Sequence, residues 1–185
     1  MRRIRVWSGL CAAAVVSVAG ASGVPAHASE GRGVISGSGY YKDDWSDEGI
    51  VSTTSHRRSN VAALWQAVLW ADKSLKPNGN PMSVGDIDCV FGPQTEYTTK
   101  RWQRRYASAG LESDGIVGRK TWSYAARKLD EGGGNRYVYH GLTADMGPTG
   151  RTITFVRAAN GVWSMYLRDD LEPLYYNSAT FSSCG

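Results

Sequence analysis

The residues beyond Ala28 whose side chains can do chemistry are few: Cys89 and Cys184, His56 and His140, and several short acidic clusters. A hydrolytic zinc centre needs about three protein ligands, usually with closely spaced histidines, and these two histidines stand far apart. No G-x-S-x-G elbow marks a serine nucleophile. Paired carboxylates of the glycosidase kind need only two acids at the right separation, which spacing in sequence does not reveal. Asp86 with Asp88, and Asp169 with Asp170 and Glu172, are the acids available for that role. They stand where turns and helix starts need capping, so the residues point to no catalytic group, no metal and no cofactor.

The cysteines are read through their compartment. The chain opens with Arg2, Arg3 and Arg5, continues through an apolar stretch from Leu10 to Val18, and reaches Ala26-His27-Ala28. That order of basic, apolar and small-x-small segments predicts a secretory signal peptide over residues 1–28, cleaved after Ala28. Its apolar run is too short to span a bilayer, and no later stretch is long enough either, so no membrane contact is expected after cleavage. Cys11 leaves with the signal. Two cysteines in an oxidising compartment predict one disulfide, Cys89 to Cys184. Removing the signal takes away three arginines and no acids, so 21 basic against 17 acidic residues become 18 against 17. A nearly neutral secreted protein is a poor nucleic-acid binder.

The elements that would position these residues follow from periodicity. Residues 29–58 are rich in Gly, Ser and Thr, carry an acidic knot from Asp43 to Glu48, and predict a flexible leader. Ser59 or Asn60 can cap a helix whose Val61, Leu64, Trp65, Val68 and Leu69 share one face. Gly92-Pro93 opens a second helix, with Thr95, Thr98, Thr99, Trp102 and Tyr106 inward and Lys100, Arg101, Arg104 and Arg105 outward. A third runs from about Arg119 to Leu129, and Gly132-Gly133-Gly134 ends it. Beyond it, Tyr137 to Tyr139 is a short strand, and Arg151 to Val156 faces Val162 to Leu167 across Asn160-Gly161, a dipeptide suited to positive φ at both turn positions. Leu174 to Tyr176 adds a possible edge.

An internal repeat runs through the helical part. Asp88, Gly92 and Thr95 correspond to Asp114, Gly118 and Thr121, but Cys89 stands where the second copy has Gly115. A bond from Cys89 to the penultimate Cys184 would tie the β-rich tail to the helices.

Leu64 and Gln66 on a helix, then D-x-x-F-G-P-x-T, Trp102-Gln103, Gly110-Leu111 and DGIVGRKTW together resemble the type 1 peptidoglycan-binding domain of bacterial cell-wall hydrolases. The resemblance covers about residues 59 to 129 and implies a three-helix domain with an internal pseudo-repeat. The fold expected is therefore mainly α: a three-helix peptidoglycan-binding-like domain over 59–131, plus a small C-terminal β-hairpin extension over 135–185.

The function implied is that of a secreted, non-catalytic protein associated with the cell wall, its ligand a stem peptide or glycan of peptidoglycan. By resemblance and charge the ligand groove would involve Asp114, Arg119 and Trp122, with Arg104 and Tyr106 beside it. Two other classes stay open: an exported partner or inhibitor of a wall enzyme, and a small wall hydrolase using carboxylates.

Overall fold

The computed structural model describes residues 28–143, 145 and 147–185. The expected signal peptide lies outside the described residues apart from Ala28. Four α-helices, α1 (Ala28–Arg32), α2 (Asn60–Ala71), α3 (Pro93–Arg105) and α4 (Arg119–Ala126), precede five strands. The strands are β1 (Leu129–Glu131), β2 (Arg136–Leu142), β3 (Pro148–Arg157), β4 (Trp163–Leu167) and β5 (Asp170–Pro173), and they form one antiparallel meander in sequence order.

This corrects the mainly-α expectation: among the described residues 32% are helical and 25% are in strand conformation, in a sheet of five strands where a hairpin was expected. The discrepancy has a local cause. Strand β1 reads Leu-Asp-Glu and β5 reads Asp-Leu-Glu-Pro, sequences with little strand preference of their own. Their conformation comes from pairing with β2 and β4. The third helix accordingly stops at Ala126, Leu129 opens β1, and the triple glycine turns the β1–β2 hairpin. The β3–β4 turn also differs from expectation. Gly161 has φ 85° whereas Asn160 stays out of the left-handed region, and Ala158 closes a four-residue loop by accepting from Gly161.

Helix α2 is the centre of the molecule. Ser59 caps it by accepting from the Ala62 amide at 2.9 Å, and every residue from Asn60 to Leu69 is buried. The one-sided stripe read from sequence therefore understates its burial, because the sheet and the C-terminal tail cover the remaining faces. Inward residues alternate along the strands: Tyr137 and Tyr139, Ile153 and Phe155, then Trp163, Met165 and Leu167. At the C-terminus of α2, Gly141 admits the Ala71 carbonyl so closely that a Cβ there would collide with it. The last carbonyls of a helix lack partners within the helix. Here Thr149 donates to Ala71 O at 2.7 Å and Arg151 to Trp70 O at 2.7 Å, so the sheet caps the helix.

Residues 29–58, expected to be a flexible leader, are packed into this fold. Ile35, Trp45, Glu48 and Val51 are fully buried, and Val34, Ser36, Val51 and Arg58 form isolated bridges to Tyr175, Val162, Val117 and Val90. Trp45 meets Trp122, Phe155 and Trp163 edge-on, and Trp122 in turn meets Trp65. One indole of the leader thus fills the junction of helices and sheet, a contact of sequentially distant residues that no local period announces.

Candidate functional site

The repeat read in the sequence is built around two glutamines. Gln66, on α2, donates from Nε2 to Asp88 Oδ1 (2.7 Å), Val90 O (3.1 Å) and Thr95 Oγ1 (3.2 Å), while its Oε1 accepts from the Cys89 amide (2.9 Å). Gln103, on α3, does the same one copy later, donating to Asp114 Oδ1 (3.0 Å), Ile116 O (2.8 Å) and Thr121 Oγ1 (3.2 Å) and accepting from the Gly115 amide (2.9 Å). A primary amide offers both donors and an acceptor, which is what a tight turn with exposed N–H and C=O groups requires. Cys89 keeps the left-handed backbone of its glycine counterpart, φ 65° against 81° for Gly115. It is joined to Cys184, with Cα atoms 5.2 Å apart.

The five residues expected to form a ligand groove do not share one surface. Trp122 is wholly buried and donates its indole N–H to Gly49 O at 2.9 Å. Tyr106 is buried with its hydroxyl against Lys128 Nζ (2.9 Å), and burial, together with the Asp72 charge, pushes its pKa up to about 12. Asp114 serves its own turn, accepting from Gln103 and from the Ile116 amide. Arg119 is exposed at the start of α4. Trp122 and Tyr106 lie on inward helical faces, which explains their absence from any groove.

Arg104 does line one. An open groove of about 580 Å³ is bounded by Leu75, Arg101, Arg104 and Arg105, on the outer side of α3. Arg105 is fixed by donating to Asp72 O at 3.2 Å, and Arg101 lies beside the Tyr97 hydroxyl at 3.4 Å. Lys100, the fourth member of the basic stripe, is occupied by Glu96 at 2.5 Å. Guanidinium groups at i, i+3 and i+4 present planar forks to one side, a geometry suited to carboxylates.

Asp86, Asp170 and Glu172 are each engaged in local contacts. Asp86 is partly desolvated, but donors from Ser83, Lys76 and Gln94 outweigh this and hold its carboxyl down at about 2. Asp170 accepts from the Ser182 amide and Glu172 from Thr180, so both fasten the C-terminal tail. His56 is wedged between Glu30 (2.8 Å) and the Tyr176 carbonyl (3.1 Å). Among the described residues no group of three or more His, Cys, Asp or Glu is placed to hold a metal, and no helix is long and apolar enough to cross a membrane.

Two carboxylates, Asp72 and Glu48, are buried although nothing local in the sequence distinguishes them. Asp72 closes α2 and accepts from Trp102 Nε1 (2.6 Å), Lys128 Nζ (2.5 Å), Tyr139 Oη (3.1 Å) and the Leu142 amide (2.9 Å). Glu48 is fully buried, with Tyr176 Oη donating to Oε2 and no hydrogen-bond partner for Oε1 among the described residues. Burial, only partly offset by the tyrosine hydrogen bond, pushes Glu48 up to about 8. A carboxyl raised in the folded state stabilises fully below its unfolded value of about 4.5, and that contribution is lost as pH rises toward 8. Glu48→Gln should therefore be more stable than the parent by about 1–2 kcal/mol at pH 8.5, with the gap closing by pH 5. Urea midpoints at the two pH values check this, and a gap independent of pH would contradict the assignment.

No curated protein and no solved structure matches the chain. Residues 66–124, which run from the first glutamine through both turns to α4, match the model of the family described as "Putative peptidoglycan binding domain".

Proposed function

We propose that this is a secreted, non-catalytic protein of the bacterial cell wall that binds peptidoglycan, with the carboxylates of its stem peptides taken by the guanidinium groups of Arg101, Arg104 and Arg105. What carries the reading is the family match over 66–124, because the matched segment contains the two complete glutamine-centred turns that build the scaffold. The groove on α3 supports the ligand contact, since it gathers three arginines beside the apolar Leu75.

Two exposed arginines contribute charge-assisted hydrogen bonds without holding the fold. Arg101→Ala with Arg104→Ala should lower affinity for purified sacculi about 10-fold while leaving the melting temperature within about 2 °C. Co-sedimentation across a salt series measures it. Unchanged affinity in the double variant, or loss of all parent binding as soon as salt is added, would remove the groove as a shaped site.

A further inference from the structure

A second opening shares no residue with the arginine groove. It is a cleft of about 910 Å³ lined by segment 36–47, by Gly134 and Asn135 of the β1–β2 turn and by residues 158–161 of the β3–β4 turn. Its size lies at the upper end of the roughly 300–1,000 Å³ usual for small-molecule sites. All of it lies outside the 66–124 match.

The cleft wall holds a fixed pair of opposite charges. Arg157 Nη1 donates to Asp44 Oδ2 at 2.7 Å and Nη2 donates to the Gly39 carbonyl at 3.1 Å, while the guanidinium lies 5.2 Å from the Tyr137 ring centre. Trp163 Nε1 donates to the same Asp44 oxygen at 2.9 Å. A guanidinium has five N–H donors in one plane, so these contacts leave part of the fork unused. The Asp44 side chain is only 1% exposed, so it holds the Arg157 guanidinium in place against the cleft rather than meeting a ligand itself. Around this pair stand the carboxylates of Asp43 and Asp47, the amides of Asn135 and Asn160, and the hydroxyls of Ser38 and Ser46. Tyr40, next in the chain to the lining Gly39, is 58% exposed, the most exposed large aromatic among the described residues.

This lining selects by chemistry. Three aspartates disfavour a phosphate or carboxylate ligand, while Arg157 and Arg32 disfavour a strongly cationic one. Interleaved donors and acceptors beside an exposed aromatic face suit a molecule whose neighbouring hydroxyls both give and take hydrogen bonds and whose rings carry apolar faces. We propose that the cleft binds a neutral glycan, with Arg157, Asp47 and Asn135 holding ring hydroxyls and Tyr40 covering a sugar face. The cleft stands apart from the arginine groove, so this site does not depend on stem peptides binding there.

The test uses the oxidised full-length chain and two probes, the β-1,4-linked tetramer of N-acetylglucosamine and cellotetraose, each titrated calorimetrically. Saturable binding of at least one is expected. Asp47→Ala and Asn135→Ala should each weaken it about 5-fold, Tyr40→Ala should weaken it similarly, and Arg104→Ala should leave it unchanged. Binding of the acetamido sugar alone would identify the wall's own glycan strand as the source, and equal binding of both would identify glycans generally. Absence of binding to either tetramer at millimolar concentration, or affinity indifferent to all three cleft substitutions, overturns the proposal. A lysine-rich peptide that binds where both tetramers fail overturns it equally. Sacculus binding lost in the double arginine variant but kept in the cleft variants would separate failure here from failure of the groove.

Discussion

Asp72→Ala is expected to destabilise the fold by about 3–5 kcal/mol, because it leaves a buried lysine without its counter-charge. The side chains of Asp72 and Lys128 are 0% and 6% exposed, so water cannot replace the lost carboxylate. Trp102 Nε1, Tyr139 Oη and the Leu142 amide lose an acceptor at the same time. Urea unfolding of the single variant and of Asp72→Ala with Lys128→Met measures the effect. The double variant should recover part of the loss, since removing both charges is far less costly than removing one. Burial already lowers the Lys128 pKa, with Asp72 opposing. Without Asp72 the lysine would be depressed further and stability should rise with pH toward the ordinary lysine range, because the unfolded chain then holds the extra proton. A single-variant loss below about 1 kcal/mol, or a double variant no better than the single, would show that this network is dispensable.

Removing the Cys89–Cys184 bond should have an effect of similar size. The bond closes a loop of 95 residues, for which the entropy of the unfolded chain gives about 4–5 kcal/mol as an upper figure. For a domain of this length that corresponds to a fall of roughly 10–15 °C in Tm. Cys89→Ser with Cys184→Ser removes the link but keeps a side chain in the left-handed turn. Cys89→Gly with Cys184→Ser also relieves that backbone and should melt a few degrees higher, since glycine adopts positive φ at little cost. Calorimetry of the oxidised parent and of the two variants decides the matter. A fall below about 3 °C in both variants would mean that the tail stays docked through Asn60, which donates to Pro173 O and Thr180 Oγ1, and through Arg58, which donates to Cys184 O.

Helices α2, α3 and α4 were legible because each carries its own signal, whereas α1 lies in the segment expected to be a leader. Ser59 caps α2, Pro93 opens α3, and the inward positions Thr95, Thr98, Thr99, Trp102, Thr121 and Trp122 are all buried as their periodicity implied. The cysteine pairing was legible from number and compartment. The candidate site was legible only in part. The basic stripe is visible in residue order, and its Arg101, Arg104 and Arg105 line an open groove, whereas Trp122 and Tyr106, expected by resemblance and charge beside Asp114 and Arg119, are core. The glutamines appeared in the sequence as members of a motif, and their role as hubs required seeing two turns fold back onto two helices.

By itself, then, the sequence determined the helical repeat, the Cys89–Cys184 disulfide, strand residues of β2, β3 and β4, and the resemblance of about residues 59 to 129 to the type 1 peptidoglycan-binding domain. These depend on contacts within a few turns of chain or on covalent chemistry, which leave a pattern in residue order. Only the tertiary structure decided that a five-stranded sheet rather than a hairpin backs the helices, that residues 29–58 are packed with Trp45 in the core, and that Asp72 and Glu48 are buried. In each case the deciding term is a partner distant in sequence. Strand β1 becomes a strand because Tyr137 to Tyr139 pair with it, and an acid becomes buried because a lysine or a tyrosine arrives from elsewhere in the chain.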